Sequence, residues 1–194
     1  MIAGERIVLR AWERADLETF LRWFNDPEVT QYIGNAYPSL SMDQETRFYE
    51  QGMENTHRYC IVTKAGALIG NCSLNRVDPV CRHAEIGIVI GEKDYWGQGY
   101  GREALGLLLQ VGFAGLGLNR LYLRVVDFNQ RAQRCYRAAG FVEEGRLRQG
   151  VFVHGRFHDM HIMSVLAEEY WARAAAFDAA PAAPGAGGGS SGPQ

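Results

Sequence analysis

Apolar residues recur along this chain in two rhythms, every second position and every third or fourth, and the switches between them lay out the elements. Arg6–Ala11, RIVLRA, predicts a first strand. Leu17, Phe20, Leu21 and Phe24 then share one helical face, so 13–24 predicts an amphipathic helix, with Asp16 in its first turn where the dipole favours an anion. Asn25-Asp26-Pro27 ends it, because the residue before a proline is pushed out of helical space. The stretch 27–41 mixes aromatics with turn formers and predicts a short helix and a loop. Ser41 with Gln44 is a capping box that opens a second helix through about Glu54.

Arg58–Lys64 and Ala67–Leu74 flank Ala65-Gly66 and predict a hairpin. Asn75–Arg82 is polar with one proline and predicts a loop; Ala84–Ile90 is the fourth strand. A helix from Glu103 to about Phe113 presents Leu105, Leu108, Leu109, Gly112 and Phe113 on one face. Gly106 and Gly112 weaken it by ~1 kcal/mol each, which close packing on the sheet would offset. Leu121–Val126 is the fifth strand. Asn129 caps a further helix that Gly140 stops. Phe141–Glu144 begins another strand, and Val151–Val153 with Phe157–Leu166 predicts a hairpin around His154-Gly155. From residue 173 to 194 the chain is rich in Ala, Gly, Pro and Ser without periodicity and predicts a disordered tail, leaving 1–172 as one domain. Strands four and five are joined through a helix and should be parallel, the others antiparallel. The fold class is α+β, a mixed sheet flanked by helices.

Composition narrows the functions. Of 194 residues, 47% are hydrophobic and 22% charged, and the net charge is -2, which gives no bulk reason for nucleic acid as a partner. No apolar run approaches the ~20 residues of a membrane span, and the charged start does not read as a signal peptide. Cys60, Cys72, Cys81 and Cys135 form no CxxC pair and fit buried, reduced thiols in a cytoplasmic protein. His154, His158 and His161 look like a metal cluster, but on a strand His158 and His161 point to opposite faces, so no metal is expected.

The chemistry concentrates in Ala84–Ala104, where a strand and a turn lead into Gly97, Gly99 and Gly101 at a helix start. Such a loop lets backbone N–H groups approach an anion. Gly99-Tyr100-Gly101-Arg102-Glu103-Ala104 matches the dinucleotide pattern G-x-G-x-x-A, with Asp127 near the ribose-binding place. The context is wrong: Glu92–Trp96 intervenes between strand and loop, and one helix with antiparallel strands follows Asp127, which is better read as a turn residue. A phosphate-binding P-loop is excluded, because no Gly-Lys-Ser/Thr is present.

YWGQGYGREAL, then a helix, a strand, and Asn129-x-x-Ala132-x-x-x-Tyr136-x-x-x-Gly140-Phe141, resembles the GCN5-related N-acetyltransferases, the GNAT family. Within that family the opening IVLRAWERADLETFLRWFNDPEVTQYIG is similar to the RimJ/RimL-type alanine acetyltransferases and the related polyamine acetyltransferases, and the resemblance covers about 1–171. Trp96 stands where the general pattern is not tryptophan, a usual variant in this subgroup. The resemblance implies a GNAT fold with strands four and five splayed apart and acetyl-CoA as co-substrate. It places the pyrophosphate on the backbone of Gly97, Gln98, Gly99, Tyr100, Gly101 and Arg102, and pantetheine on Ile88, Val89 and Ile90 with Asn129. Gln98 and Arg102 side chains either add contacts or are simply solvated.

It also implies direct transfer to an amine, which makes Cys135 a packed thiol rather than a nucleophile. Tyr136 would serve the leaving thiolate, on a face shared with Ala132. Glu85 is either the general base, directly or through water, or a salt-bridged strand-end residue, and the Ile88 N–H is the donor for the developing oxyanion. Tyr32, Tyr37, Phe48 and Tyr49 are candidates for the acceptor side. The acceptor expected first is a protein or peptide N-terminus. The alternatives are a polyamine or other small amine, antibiotics included, and a non-catalytic acyl-CoA-binding module. A dimer through the C-terminal strands is suggested by the resemblance.

Overall fold

The chain, seen in a computed structural model that describes residues 1–33, 39–52 and 57–178, folds around one mixed sheet. Its strands are β1 (Ile2–Ala3), β2 (Ile7–Ala11), β3 (Arg58–Thr63), β4 (Leu68–Asp78), β5 (His83–Ile90), β6 (Arg120–Val126), β7 (Val142–Val153) and β8 (Arg156–Leu166). They are ordered β1-β2-β3-β4-β5-β6-β8-β7. The helices are α1 (Leu17–Phe24), α2 (Pro27–Thr30), α3 (Met42–Gln51), α4 (Tyr100–Gln110), α5 (Gln130–Ala139) and α6 (Ala167–Asp178). The two-residue β1 adds one to the count, so the fourth and fifth strands of the sequence are β5 and β6.

Local signals set most boundaries. Ser41 Oγ accepts from the Gln44 N–H at 3.2 Å while Gln44 Oε1 accepts from the Ser41 N–H at 2.8 Å, the reciprocal bond that starts α3. Asn129 Oδ1 accepts from the Ala132 N–H at 3.1 Å to start α5, and Gly140 closes it at φ 97°, a conformation other residues resist.

Several boundaries differ from expectation. Asn75–Asp78 continues β4 instead of looping, because Asn75 pairs with Glu85 and Asp78 with His83 on β5, a partner its own polar sequence does not announce. Val142–Val153 is one strand at the sheet's edge, exposed over most of its length and buried only at Val153. α4 starts at Tyr100, not Glu103, and loosens into a wider turn over Val111–Gly115. The backbone at Gly112 needs its glycine, since a Cβ there would lie 2.6 Å from Leu121 Cδ1; Gly106 has nothing within 4 Å, so no packing offsets its cost. α6 reaches Asp178, six residues into the stretch that composition assigns to the tail. Glu54, the expected end of the second helix, lies outside the described residues.

The sheet separates two cores. Against α4 and α5 it buries Ala84, Ile86, Leu105, Leu108, Leu121 and Leu123, with Ile88 and Ile90 packed beside them. On the other face α1 buries Leu17, Phe20 and Trp23 with Val29 and Cys60, and Val89 joins that side. The β5–β6 pair is parallel, as expected, but only over His83↔Arg120, Ala84↔Leu121 and Glu85↔Tyr122. Beyond Glu85 the strands part, β5 staying with β4 and β6 with β8. Among the described residues no helix is long and apolar enough to cross a membrane.

Candidate functional site

The parting of β5 and β6 opens a cleft of about 600 Å³, lined from Glu85–Ile90 on one wall to Arg124–Val126 on the other, with the glycine loop and α5 at its mouth. Register decides what β5 offers there. The Gly91 N–H bonds the Ile69 carbonyl at 2.9 Å, so in this antiparallel pair Val89, Gly87 and Glu85 turn their main-chain groups to β4. Ile86, Ile88 and Ile90 turn theirs to the cleft. Of the three expected backbone ligands, Val89 is therefore committed to Asn71, and the Ile90 carbonyl accepts from Trp96 Nε1 at 2.7 Å. Ile88 keeps both its N–H and its carbonyl for a ligand.

At the loop, Gly97 and Gly99 hold φ 74° and 87°, and Gly99 is the residue before α4. The first helical bond is that of the Glu103 N–H to the Gly99 carbonyl, at 3.1 Å. Among the described residues the N–H groups of Gln98, Gly99, Tyr100, Gly101 and Arg102 have no acceptor. Open donors at the positive end of a helix are what an anionic group needs. The loop is braced from behind. Arg6 donates to the Gln98 carbonyl at 2.9 Å and to Glu103 at 3.1 Å, and stacks on Tyr100 at 4.5 Å. Burial opposes ionisation of Glu103, but the N–H groups of Arg6 and Ile7 and the Arg6 guanidinium outweigh it and hold the carboxyl below its usual range.

Nine of the ten expected cofactor-binding residues line the cleft: Ile88, Val89, Ile90, Gly97, Gly99, Tyr100, Gly101, Arg102 and Asn129. Gln98 is not among the lining residues: its side-chain amide turns back to the Asp94 carbonyl, which leaves its main-chain N–H as the group it can offer. Arg102 is exposed at the mouth.

Both expected catalytic residues line the cleft, in different states. Tyr136 is half-buried, 6.0 Å from the Phe141 ring, and among the described residues its hydroxyl has no partner; burial pushes the phenol well up, so it stays protonated. Glu85, 12% exposed, is held by Arg124 Nε at 2.7 Å and by Arg76 at 3.5 Å. The ion pair and the place in the cleft are thus both real for this residue. Cys135 lines the wall with its thiol pushed up by burial, a poor nucleophile.

The remaining candidates disperse. Tyr32 lines the cleft, 6.2 Å from Trp96 and 5.9 Å from Phe128. Phe48 is exposed under Arg58, Tyr49 packs with the α1 core, and Tyr37 lies outside the described residues. The three histidines go separate ways, His154 to Gln31, His158 to Asp127 and His161 to Glu143. Asp127 ties the end of β6 to β8 through the Asp159 N–H.

Sequence reasoning missed Arg124 and Arg131. Arg131 lines the cleft with its guanidinium 4.2 Å over Trp96 and 5.7 Å over Tyr32. Its signal was available: a cation in the first turn of a helix that has no acid there runs against the dipole. With Arg102 and Arg124 it gives the described lining three guanidiniums against one carboxylate.

A family model described as an acetyltransferase (GNAT) domain matches residues 6–142. The chain is similar to a spermidine N(1)-acetyltransferase of Vibrio cholerae, 32% identical over 169 residues that cover 86% of this chain and 96% of that protein. It is 36% identical to a putative ribosomal N-acetyltransferase, YdaF, of Bacillus subtilis over 105 residues, 54% of this chain and 57% of the relative. Among solved structures it resembles the Vibrio cholerae spermidine N-acetyltransferase in complex with CoA and spermine, with a TM-score of 0.80, 30% identity and coverage of 86% of this chain and 98% of that one.

Proposed function

Because the chain belongs to the GNAT family of acetyl-CoA-dependent N-acetyltransferases, we propose that it acetylates a small primary amine in the cleft between β5 and β6. The observation that carries the site is one cleft bordered by two sets of main-chain donors without an acceptor among the described residues, the Ile88 N–H on β5 and the N–H groups of Gln98–Arg102 at the start of α4. The amides of Gln98–Arg102, with Arg102, would hold the pyrophosphate. The Ile88 main chain and Asn129 would hold pantetheine, in the manner of an added strand. When bound, acetyl-CoA supplies an activated acyl carbon. The amine nitrogen forms the new C–N bond as the C–S bond breaks, the thiolate leaves hydrogen-bonded to Tyr136, and the proton released from nitrogen passes to Glu85 or through water beside it. The Ile88 N–H stabilises the carbonyl oxygen as negative charge builds there.

The acceptor reading departs from the order expected from the sequence. Relatives acting on spermidine match across 86% of the chain, the ribosomal relative across 54%, so a small amine is placed ahead of a protein N-terminus. With three guanidiniums lining the described cleft, the reading stops at a primary amine and does not specify a polyamine. The thiols and the acetyl-CoA requirement fit a cytoplasmic setting.

Acetyl-CoA should raise the Tm of the protein and NADH should not. In a thiol-release screen, spermidine, monoamines and aminoglycosides should include a substrate, and turnover of N-terminal peptides alone would sink the small-amine reading. Glu85→Gln gives a sharper result. A primary amine with a pKa near ~10.4 is almost all protonated at pH 7, so transfer there depends on a proton acceptor. The variant should lose kcat/KM by on the order of 10²-fold at pH 7. The loss should shrink as pH rises toward the amine's own pKa, where neutral amine is already present. Parallel pH–rate profiles would assign the proton to another acceptor.

A further inference from the structure

The floor beside Glu85 carries polar side chains that the cofactor track does not use. On β4, Asn71, Ser73 and Asn75 stand directly across from Val89, Gly87 and Glu85. They lie on the face opposite Cys72 and Leu74, which enter the α4–α5 core. Asn71 is 7% exposed, and its amide nitrogen is buried without a hydrogen-bond partner. Asn75 Nδ2 donates to Ser73 Oγ at 2.9 Å.

Gly87 is where this ladder meets the cleft. A Cβ on Gly87 would come within 3.0 Å of Ser73 Oγ and 3.1 Å of Asn75 Nδ2, so the hydroxyl and the amide overhang a strand position that has no side chain of its own. Gly87 and Glu85 both line the cleft. The main chain of Ile88, the next residue, faces the space between β5 and β6. With Asn75 donating to it, the Ser73 oxygen still has a lone pair and its own proton to offer. An amine approaching over Gly87 from the α1–α2 side meets this hydroxyl just before it reaches the position in front of Ile88.

We propose that Ser73, held by Asn75 over the gap at Gly87, is the acceptor-binding residue of this enzyme: its oxygen accepts an N–H from the incoming amine and aims the nitrogen lone pair at the acyl carbon. Asn75 is the positioning residue, because it fixes the Ser73 rotamer without meeting the substrate. Gly87 leaves room for the nitrogen. The inference rests on the cleft being an N-acetyltransfer site, not on which amine is used.

The test compares Ser73→Thr with Ser73→Val, two side chains of nearly the same shape of which only one keeps the hydroxyl. Both are assayed by thiol release with an amine or peptide that the unmodified enzyme acetylates. The valine variant should show kcat/KM for the amine at least about tenfold below the threonine variant, since a hydrogen bond to a charged or charging group is lost. KM for acetyl-CoA and Tm should agree between the two. Gly87→Ala should raise the amine KM in the same selective way by crowding the hydroxyl. Equal kcat/KM for the threonine and valine variants would overturn the role of Ser73. A substrate profile restricted to peptides would overturn only the small-amine reading, because the threonine–valine comparison is then read on the peptide.

Discussion

Tyr136→Phe will lower kcat by on the order of 10²-fold, with acetyl-CoA affinity within about twofold and Tm nearly unchanged. The phenol sits on α5 beside Ala132 and Phe141, and the ring accounts for its packing; phenylalanine keeps that packing. What is lost is one hydroxyl that has no protein partner among the described residues and lines the cleft. Burial keeps it protonated, so it is a hydrogen-bond donor throughout the working pH range. In the proposed reaction it would stabilise the leaving thiolate as charge accumulates on sulfur. Because the effect lies in the transition state, it should fall on kcat and kcat/KM alike. Single-turnover acetylation with an equilibrium CoA titration separates chemistry from binding, and an unchanged kcat would remove Tyr136 from the reaction. The same protonation argument predicts no alkaline limb from this phenol between about pH 6 and 9.

Arg10→Met will destabilise the fold by ~3 kcal/mol, toward the size expected when one partner of a buried ion pair is removed. Arg10 meets Asp16 with two bonds of 2.7 Å, and Asp16 is only 6% exposed. The same carboxylate accepts from the Glu13 N–H at 2.8 Å and from the Cys60 thiol at 3.2 Å. Burial would raise the Asp16 pKa, but the Arg10 bonds, the Glu13 N–H and the Cys60 thiol together hold it below its usual value.

A carboxyl whose folded pKa is depressed contributes stability above its unfolded pKa of ~3.9 and loses it as pH falls through the folded value. The gap between the unmodified protein and Arg10→Met, measured by urea unfolding, should therefore be full at pH 7 and narrow below ~pH 4. A gap independent of pH would assign the loss to the packing of the arginine stem. The site should feel this change indirectly, because Asp16 anchors the turn before α1, and the chain from α1 leads through α2 to Tyr32 in the cleft.

Much of this molecule is legible without coordinates, and the reason is range. The starts of α3 and α5 depend on Ser41 with Gln44 and on Asn129 with Ala132, pairs three residues apart. Gly97, Gly99 and Gly140 mark positive φ wherever the chain goes next. The glycine loop could be chosen for the same reason, whereas Tyr136 is singled out by the resemblance of its motif to the GNAT family. β4 past Leu74 was illegible because Asn75–Asp78 is held by pairing with β5, and a polar stretch leading to Pro79 looks like a loop until that partner is known. Only the middle of β7 was illegible: Phe141–Glu144 and Val151–Val153 read as strand, but the exposed edge segment 145–150 between them has no apolar rhythm to join them.

The sequence by itself determined the order of the elements, the parallel pair and the glycine-marked start of α4. All of these follow from backbone preferences and near-neighbour bonds. Only the tertiary structure decided that the parting of β5 and β6 begins after Glu85, that Ile88 and not Val89 turns its main chain to the gap, and that the Gln98 side chain turns away. It also decided that Arg124 and Arg131 arrive at the site from two separate elements. Those outcomes depend on strand register and on residues distant in sequence. A shift of one position in register turns every main-chain donor of β5 to the other side, and no local signal in the chain reports it.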